Sequence, residues 1–400
     1  MTIRTSTTGL VKSLGQSLLS LSSNLGGILA GTFIFLYSDV FKLAPWTLAL
    51  FPGILSIRGA IGGLFSGHLS TGLHLGTVKP RYTKNTREFY LLFYAIITLT
   101  LESSIVIGLV ASFFNVFLWN ASIIDCVSII AVVTSTMGLS IILISPITMA
   151  VSVLSFRHGL DPDITIYPVM ATVADILVTL CYILELNVFF SLRPIGGHLI
   201  GLTSIIFLSL MIYIVSRNAR EERFVKTIKE FFVVLILVAF IVNFTGSLLN
   251  EIREVVGNRP EIFVAYPALI STVGAVGSIV GSTATTKLFL GMLKSSFSSI
   301  KQHLTEIGGA WIASMVMFML YSVVASFASE TATFNVLKLT ARFIMTNILA
   351  VSAIVIISYT VAILTYRRGW DSDNFVIPIE SSLADSITTI SLLVALNTIG

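Results

Sequence analysis

From about Asn24 to the C-terminus, apolar stretches of roughly 20 residues follow one another with only short polar breaks. That is the length a helix needs to cross about 30 Å of hydrocarbon, and no other feature restricts the fold as much. We read eleven such spans, near 23–40, 44–66, 88–114, 123–138 with an apolar continuation to 156, 164–190, 197–216, 230–249, 261–284, 306–329, 340–366 and 375–398. Composition agrees. With 55% hydrophobic and 11% charged residues in 400, and a mean hydropathy of +0.95, there is too little polar surface to coat a soluble globule of this size. Only helices or closed barrels satisfy their backbone in lipid, and stretches this long without strict alternation exclude the barrel. The expectation is an all-α polytopic membrane protein.

Lys and Arg set the orientation. With the N-terminus in the cytoplasm, seventeen of the 24 basic residues fall on inner segments and six on outer ones, with Arg58 inside a span. The positive-inside rule therefore predicts N-terminus in and C-terminus out, in a plasma membrane. The formal charge of +4 is accounted for by this bias, which leaves no case for nucleic acid as a partner. Cys126 and Cys181 offer neither a disulfide framework nor a metal spacing. Residues 1–22 are Ser/Thr-rich and too polar for the apolar core of a signal peptide, so they read as a cytoplasmic tail.

The chain contains an internal repeat. The pattern R-x-G-x-D-x-D-x4-P-x5-A-D-x3-T runs from Arg157 to Thr179 and again from Arg367 to Thr389, an offset of 210. Residues 52–76 and 267–291 align without a gap at an offset of 215, sharing Pro52/Pro267, Gly59/Gly274, Gly62/Gly277 and Gly76/Gly291. Two ungapped matches in the same order indicate duplication. The predicted organisation is a tail (1–22), a five-helix repeat (23–190), a linking helix with a basic cytoplasmic loop (191–229) and a second five-helix repeat (230–400). Five spans reverse the chain across the membrane and the linking helix restores it. The repeats should then be parallel, with a pseudo-twofold axis along the membrane normal.

The repeated block puts a carboxylate inside a span. Fourteen residues separate Asp161 from Asp175, a rise of about 21 Å that returns to nearly the same helix face. Thr172, Asp175 and Thr179 make a small polar stripe, matched by Ser382, Asp385 and Thr389. An unpaired acid in a span costs several kcal/mol and is tolerated facing a partner, a bound ion or water. Two such carboxylates at a pseudo-twofold axis match a divalent cation. Oxygen ligands without a Cys/His cluster suit a hard ion, and magnesium, which keeps its waters, suits a sparse site of two acids. Asp161, Asp163, Asp371 and Asp373 lie at the helix starts, where capping and attraction of cations to a pathway mouth are compatible roles. The glycines Gly59, Gly62, Gly274 and Gly277 are explained either by close helix packing or by a broken helix lining a cavity.

The upstream glycines with Leu69, Ser70 and Thr71, the Asp-Pro-Asp block and the five-plus-one-plus-five layout resemble the MgtE-type and solute-carrier family 41 magnesium transporters in their tandem form. The resemblance covers essentially the whole membrane region. It implies that Asp175 and Asp385 bind magnesium along the ion pathway, with backbone carbonyls of Ala171 and Ser381 contributing. Ala60 and Ala275 stand where the family's glycine motif commonly carries Asn, and the cytoplasmic regulatory domains of bacterial members are absent. Two repeats in one chain imply that a monomer suffices.

Three charges are not symmetric. Arg58 aligns with Val273, Glu102 with Met317 and Glu380 with Met170. A fixed positive charge repels cations, so Arg58 is expected to pair with Glu102 or Glu185, and the asymmetry leaves room for a coupling ion. The readings carried forward are a magnesium transporter, a sodium- or proton-coupled magnesium exchanger, an anion or small-solute transporter using Arg58, and a membrane scaffold. No phosphate-binding loop or hydrolytic constellation is present, so no enzyme activity and no organic cofactor are expected.

Overall fold

The computed structural model describes residues 2–74, 76–81, 84–119, 122–157, 162–192, 194–256, 260–289, 291–328, 333–368 and 372–399. These residues form helices α1 (Thr2–Ser22), α2 (Gly26–Leu36), α3 (Ser38–Phe41), α4 (Pro45–His74), α5 (Arg87–Trp119), α6 (Ile123–Arg157), α7 (Pro162–Ser191), α8 (Ile195–Asn218), α9 (Glu222–Val256), α10 (Pro260–Phe289), α11 (Leu304–Ala328), α12 (Thr333–Arg368) and α13 (Ser372–Thr398). Short 3₁₀ turns occupy Ser23–Leu25 and Phe297–His303, and no strand occurs among the described residues. The protein is an all-α polytopic membrane protein. Among the described residues eight stretches are long and apolar enough to cross a bilayer: Leu10–Leu36, Arg87–Leu118, Ile123–Leu154, Met170–Ser191, Ile195–Asn218, Pro260–Thr285, Phe297–Phe327 and Val336–Arg368. Two shorter apolar helices, Leu235–Leu249 and Ser382–Thr398, coincide with further expected spans.

Residues 2–22, expected to be a tail, are helical. Leu10, Leu14, Leu18 and Leu21 recur at helical spacing among the serines, and Leu21 is fully buried. The average polarity of the segment hides this stripe. Helix α1 packs against α11, where Gly308 and Gly309 let it approach Leu10 and Ser13 closely.

The chain forms two compact units. One is Leu36–Asn250; the other joins Met1–Phe35 to Glu251–Gly400. Within the first, α4 packs on α5 and α7, α5 on α6, and α6 on α7 and α8. Helix α9 joins it through Phe240, whose ring meets Phe114 of α5 at 6.4 Å, and through Val242 against Gly53 of α4. Within the second, α10 packs on α11, α12 and α13, and α12 on α13.

The units cut across the sequence repeat. Each holds four helices of one repeat and the leading helix of the other. In one, α2 lies so close to α10 that a Cβ added to Gly31 would overlap the carbonyl of Val264. In the other, α9 meets α4 in the same way, and a Cβ added to Gly246 would overlap the carbonyl of Ala49. The pairs Gly31–Val264 and Gly246–Ala49 are related by the 215-residue offset of the glycine segments. So are Gly27–Ala268 and Val242–Gly53. The repeat extends to the turns after α4 and α10, where Gly76 and Gly291 adopt φ of +72° and +69°. A side chain there would be strained, and glycine is not.

Candidate ion site

Helix α7 starts at Pro162 and α13 at Ser372, each directly after the first acid of its block. Asp161 and Asp371 lie outside the described residues. Asp163 and Asp373 sit in the first turns, and Ser381 and Glu380 within α13, on helical backbone whose side chains are likewise outside the description. The inner acids are described. Asp175 is half-buried in the Leu36–Asn250 unit, and Asp385 is buried, 6% exposed, in the other.

Both carboxylates sit in the same local construction. Thr179 Oγ1 donates to the backbone carbonyl of Asp175 at 2.6 Å, and Thr389 Oγ1 donates to that of Asp385 at 2.7 Å. A threonine one turn on thus commits its own hydroxyl proton to the backbone and keeps its oxygen as an acceptor only. Ala171 and Thr172 are half-buried one turn before Asp175, and Ser382 is fully buried before Asp385. The halves differ in one contact. Tyr266 of α10 lies 2.8 Å from Thr389 Oγ1, and because that threonine's proton is committed, the tyrosine is the donor. Its counterpart at the 215 offset is Phe51, which has no hydroxyl.

The glycine expectation changes. Helix α4 runs unbroken through Pro52, and α10 through Pro267. Nor is Gly59 or Gly62 explained by close packing, since a Cβ on either would meet nothing within 4 Å; at Gly274 the nearest atom is Ala384 Cβ of α13 at 3.8 Å. Gly277 is buried. Gly59→Ala and Gly62→Ala should therefore keep the fold and raise stability by about 1 kcal/mol each through helix propensity. Thermal unfolding in detergent checks this, and a loss of stability at either position would mean the face is packed.

Of the asymmetric charges, Arg58 and Glu102 fall in the Leu36–Asn250 unit and Glu380 in the other. Arg58 is 2% exposed, and its Nε and Nη1 have no hydrogen-bond partner among the described residues. No ion pair there joins it to Glu102 or Glu185. Glu102 Oε2 is buried with no hydrogen-bond partner among the described residues, whereas Glu185 accepts a hydrogen bond from Ser135 Oγ at 2.8 Å. Ser135 Oγ in turn lies 2.8 Å from Thr203 Oγ1 of α8. Ser135, Thr203 and Tyr266 were not anticipated; the hydroxyl run at Thr134, Ser135 and Thr136 was the available signal. Among the described residues no three of His, Cys, Asp and Glu converge as a metal cluster.

Nothing among curated proteins or solved structures matches the chain. The family model described as MgtE, divalent cation transporter, matches it twice, over residues 51–184 and 266–395. Each match contains one glycine segment and one aspartate block. With repeated blocks in two sets of apolar helices and the same family model covering both, the chain belongs to the MgtE family of divalent cation transporters.

Proposed function

We propose that the protein carries magnesium along a pathway between its two repeats, related by a pseudo-twofold axis along the membrane normal, with Asp175 and Asp385 as the central site. The observation that carries this reading is the duplicated construction: a matched intramembrane aspartate in each repeat, followed at the fourth residue by a threonine bonded to that aspartate's carbonyl. A carboxylate in a span costs about 3 kcal/mol on insertion scales, and a divalent cation shared by two offsets it. Magnesium retains most of its water, so two acids with carbonyls of Ala171 and Ser381 suffice without a cage. Asp161, Asp163, Asp371 and Asp373 supply negative charge at the cytoplasmic mouth; Thr172, Thr179, Ser382 and Thr389 add oxygens along the path, which the faces of Gly59, Gly62, Gly274 and Gly277 border. The N-terminus is cytoplasmic, the C-terminus outside, and one chain in the plasma membrane is sufficient.

Coupled exchange is the second reading. It is favoured by acids that only the first repeat carries, with Glu185 held by Ser135 and Glu102 bearing a buried oxygen without a partner among the described residues. Magnesium uptake into proteoliposomes of the purified chain tests both. A channel should admit magnesium down its own gradient with no sodium or proton gradient imposed. An exchanger should need one, and no uptake under either condition would remove the transport reading.

A further inference from the structure

The turns that follow α4 and α10 fold alike, and in each an arginine from another helix completes the hydrogen bonding. After Gly76 and Gly291, the amides of Val78 and Leu293 donate to the carbonyls of Gly72 and Lys287, at 2.9 and 3.2 Å, and both side chains are buried. The amides of Arg81 and Ser296 then donate to the carbonyls of Lys79 and Lys294, each at 2.7 Å, which bends the chain about Pro80 and Ser295. Each turn thus presents three successive carbonyls. The outer two are met by one downstream side chain: Asn85 Nδ2, at 2.9 and 3.2 Å from the oxygens of Lys79 and Arg81, or Ser299 Oγ, at 2.7 and 2.6 Å from those of Lys294 and Ser296. The central carbonyl needs a donor from elsewhere. Arg157, the last residue of α6, donates to that of Pro80 from Nη2 at 2.9 Å. Arg367, at the end of α12, donates to that of Ser295 from Nε at 2.8 Å and from Nη2.

These arginines open the aspartate block of each repeat. The same contact forms although its partners are 77 residues apart in one repeat and 72 in the other. It also forms although Pro80 and Arg81 are replaced by Ser295 and Ser296, because a backbone oxygen is indifferent to the side chain beside it. We propose that Arg157 and Arg367 are positioning residues that latch the glycine helix of each unit, α4 or α10, to the start of its aspartate helix, α7 or α13. Asp161 and Asp371 follow the arginines by four residues, so a guanidinium fixed on the turn also fixes the acids of the proposed cytoplasmic mouth. That consequence rests on the transport reading; the latch does not. Charge alone predicts the opposite effect. Arg157 and Arg367, like Lys79, Arg81 and Lys294 on the same turns, repel a cation, so their loss as mere charges would favour magnesium entry.

The latch is tested by hydrogen exchange of the purified full-length chain in detergent, read by mass spectrometry. Arg157→Gln should speed exchange several-fold in residues 76–81 and in the first turn of α7, with residues 291–296 unchanged, and Arg367→Gln should do the converse. Both arginines are exposed, so the variants should fold, and Arg157→Lys and Arg367→Lys repeat the test with the charge kept but the planar fork lost. In proteoliposomes, the two glutamine substitutions together should raise the magnesium concentration for half-maximal flux several-fold with the maximal rate unchanged, and the two lysine substitutions should recover part of it. Exchange that matches wild type in both glutamine variants overturns the latch. A half-maximal concentration that stays or falls overturns its role at the mouth. If wild type carries no magnesium, the transport reading and the mouth role fail together, and exchange still decides the latch.

Discussion

Asp175→Asn combined with Asp385→Asn is expected to reduce magnesium flux by at least about 100-fold while the protein remains folded. At 4 Å and an effective dielectric constant near 20, one unit charge attracts another by about 4 kcal/mol, and the cation carries two. Removing both carboxylates therefore takes away far more than the roughly 3 kcal/mol that corresponds to 100-fold. Asparagine keeps the shape and part of the hydrogen bonding, and it relieves the cost of a buried charge, so the Tm should hold or rise. Of the single variants, Asp385→Asn should weaken flux more, because Asp385 is buried and Asp175 half-exposed. Flux assays in proteoliposomes, paired with thermal unfolding, separate the outcomes. Undiminished flux in the double variant would make both acids structural and turn attention to Glu102 and Glu380.

The second large effect concerns folding. Gly31→Ala and Gly246→Ala should each destabilise the protein by roughly 3 kcal/mol or more, at the upper end of what overpacking costs. At both positions the added methyl would collide with a backbone carbonyl, that of Val264 or of Ala49, and no side-chain rotation can relieve it. Helix propensity alone would favour alanine by about 1 kcal/mol, so the sign of the change tests the packing directly. The related positions Gly59 and Gly62 should respond in the opposite direction. Unfolding temperatures of the four alanine variants, measured in one detergent, should fall for Gly31 and Gly246 and hold or rise for the other two; a uniform response would contradict the arrangement described for α2 and α9.

Much of the fold was legible because lipid simplifies the code. Twenty apolar residues mean a spanning helix whatever their order, and the duplicated Asp and Gly blocks needed only alignment to be found. The same blocks carried the family resemblance, which the match over 51–184 and 266–395 bears out. What local pattern does not encode is which helix meets which. Gly31 and Val264 are more than 200 residues apart, and nothing in the immediate sequence of either indicates the other. The stripe of Leu10, Leu14, Leu18 and Leu21 was present but diluted by serine. Arg58 was expected to follow the rule that buried charges pair within the chain, and among the described residues it does not. Gly59 and Gly62 show the limit of reading glycine as a packing residue, since its smallness serves open space as well as close approach.

The exchange of leading helices also bears on biosynthesis. Helix α2 leaves the ribosome early, but α10, the helix it packs on, begins at Pro260. At roughly 5–20 residues per second, α2 waits on the order of 10 s or more for its contact, already in the bilayer. The Leu36–Asn250 unit likewise closes only when α9 has been made, after all of its other helices. Neither repeat can mature alone and hand over to the next. The nascent chain must keep α2 and the face of α4 that meets α9 unclaimed until the second repeat arrives, so a pause or truncation between α8 and α9 would leave both units incomplete and exposed to membrane quality control.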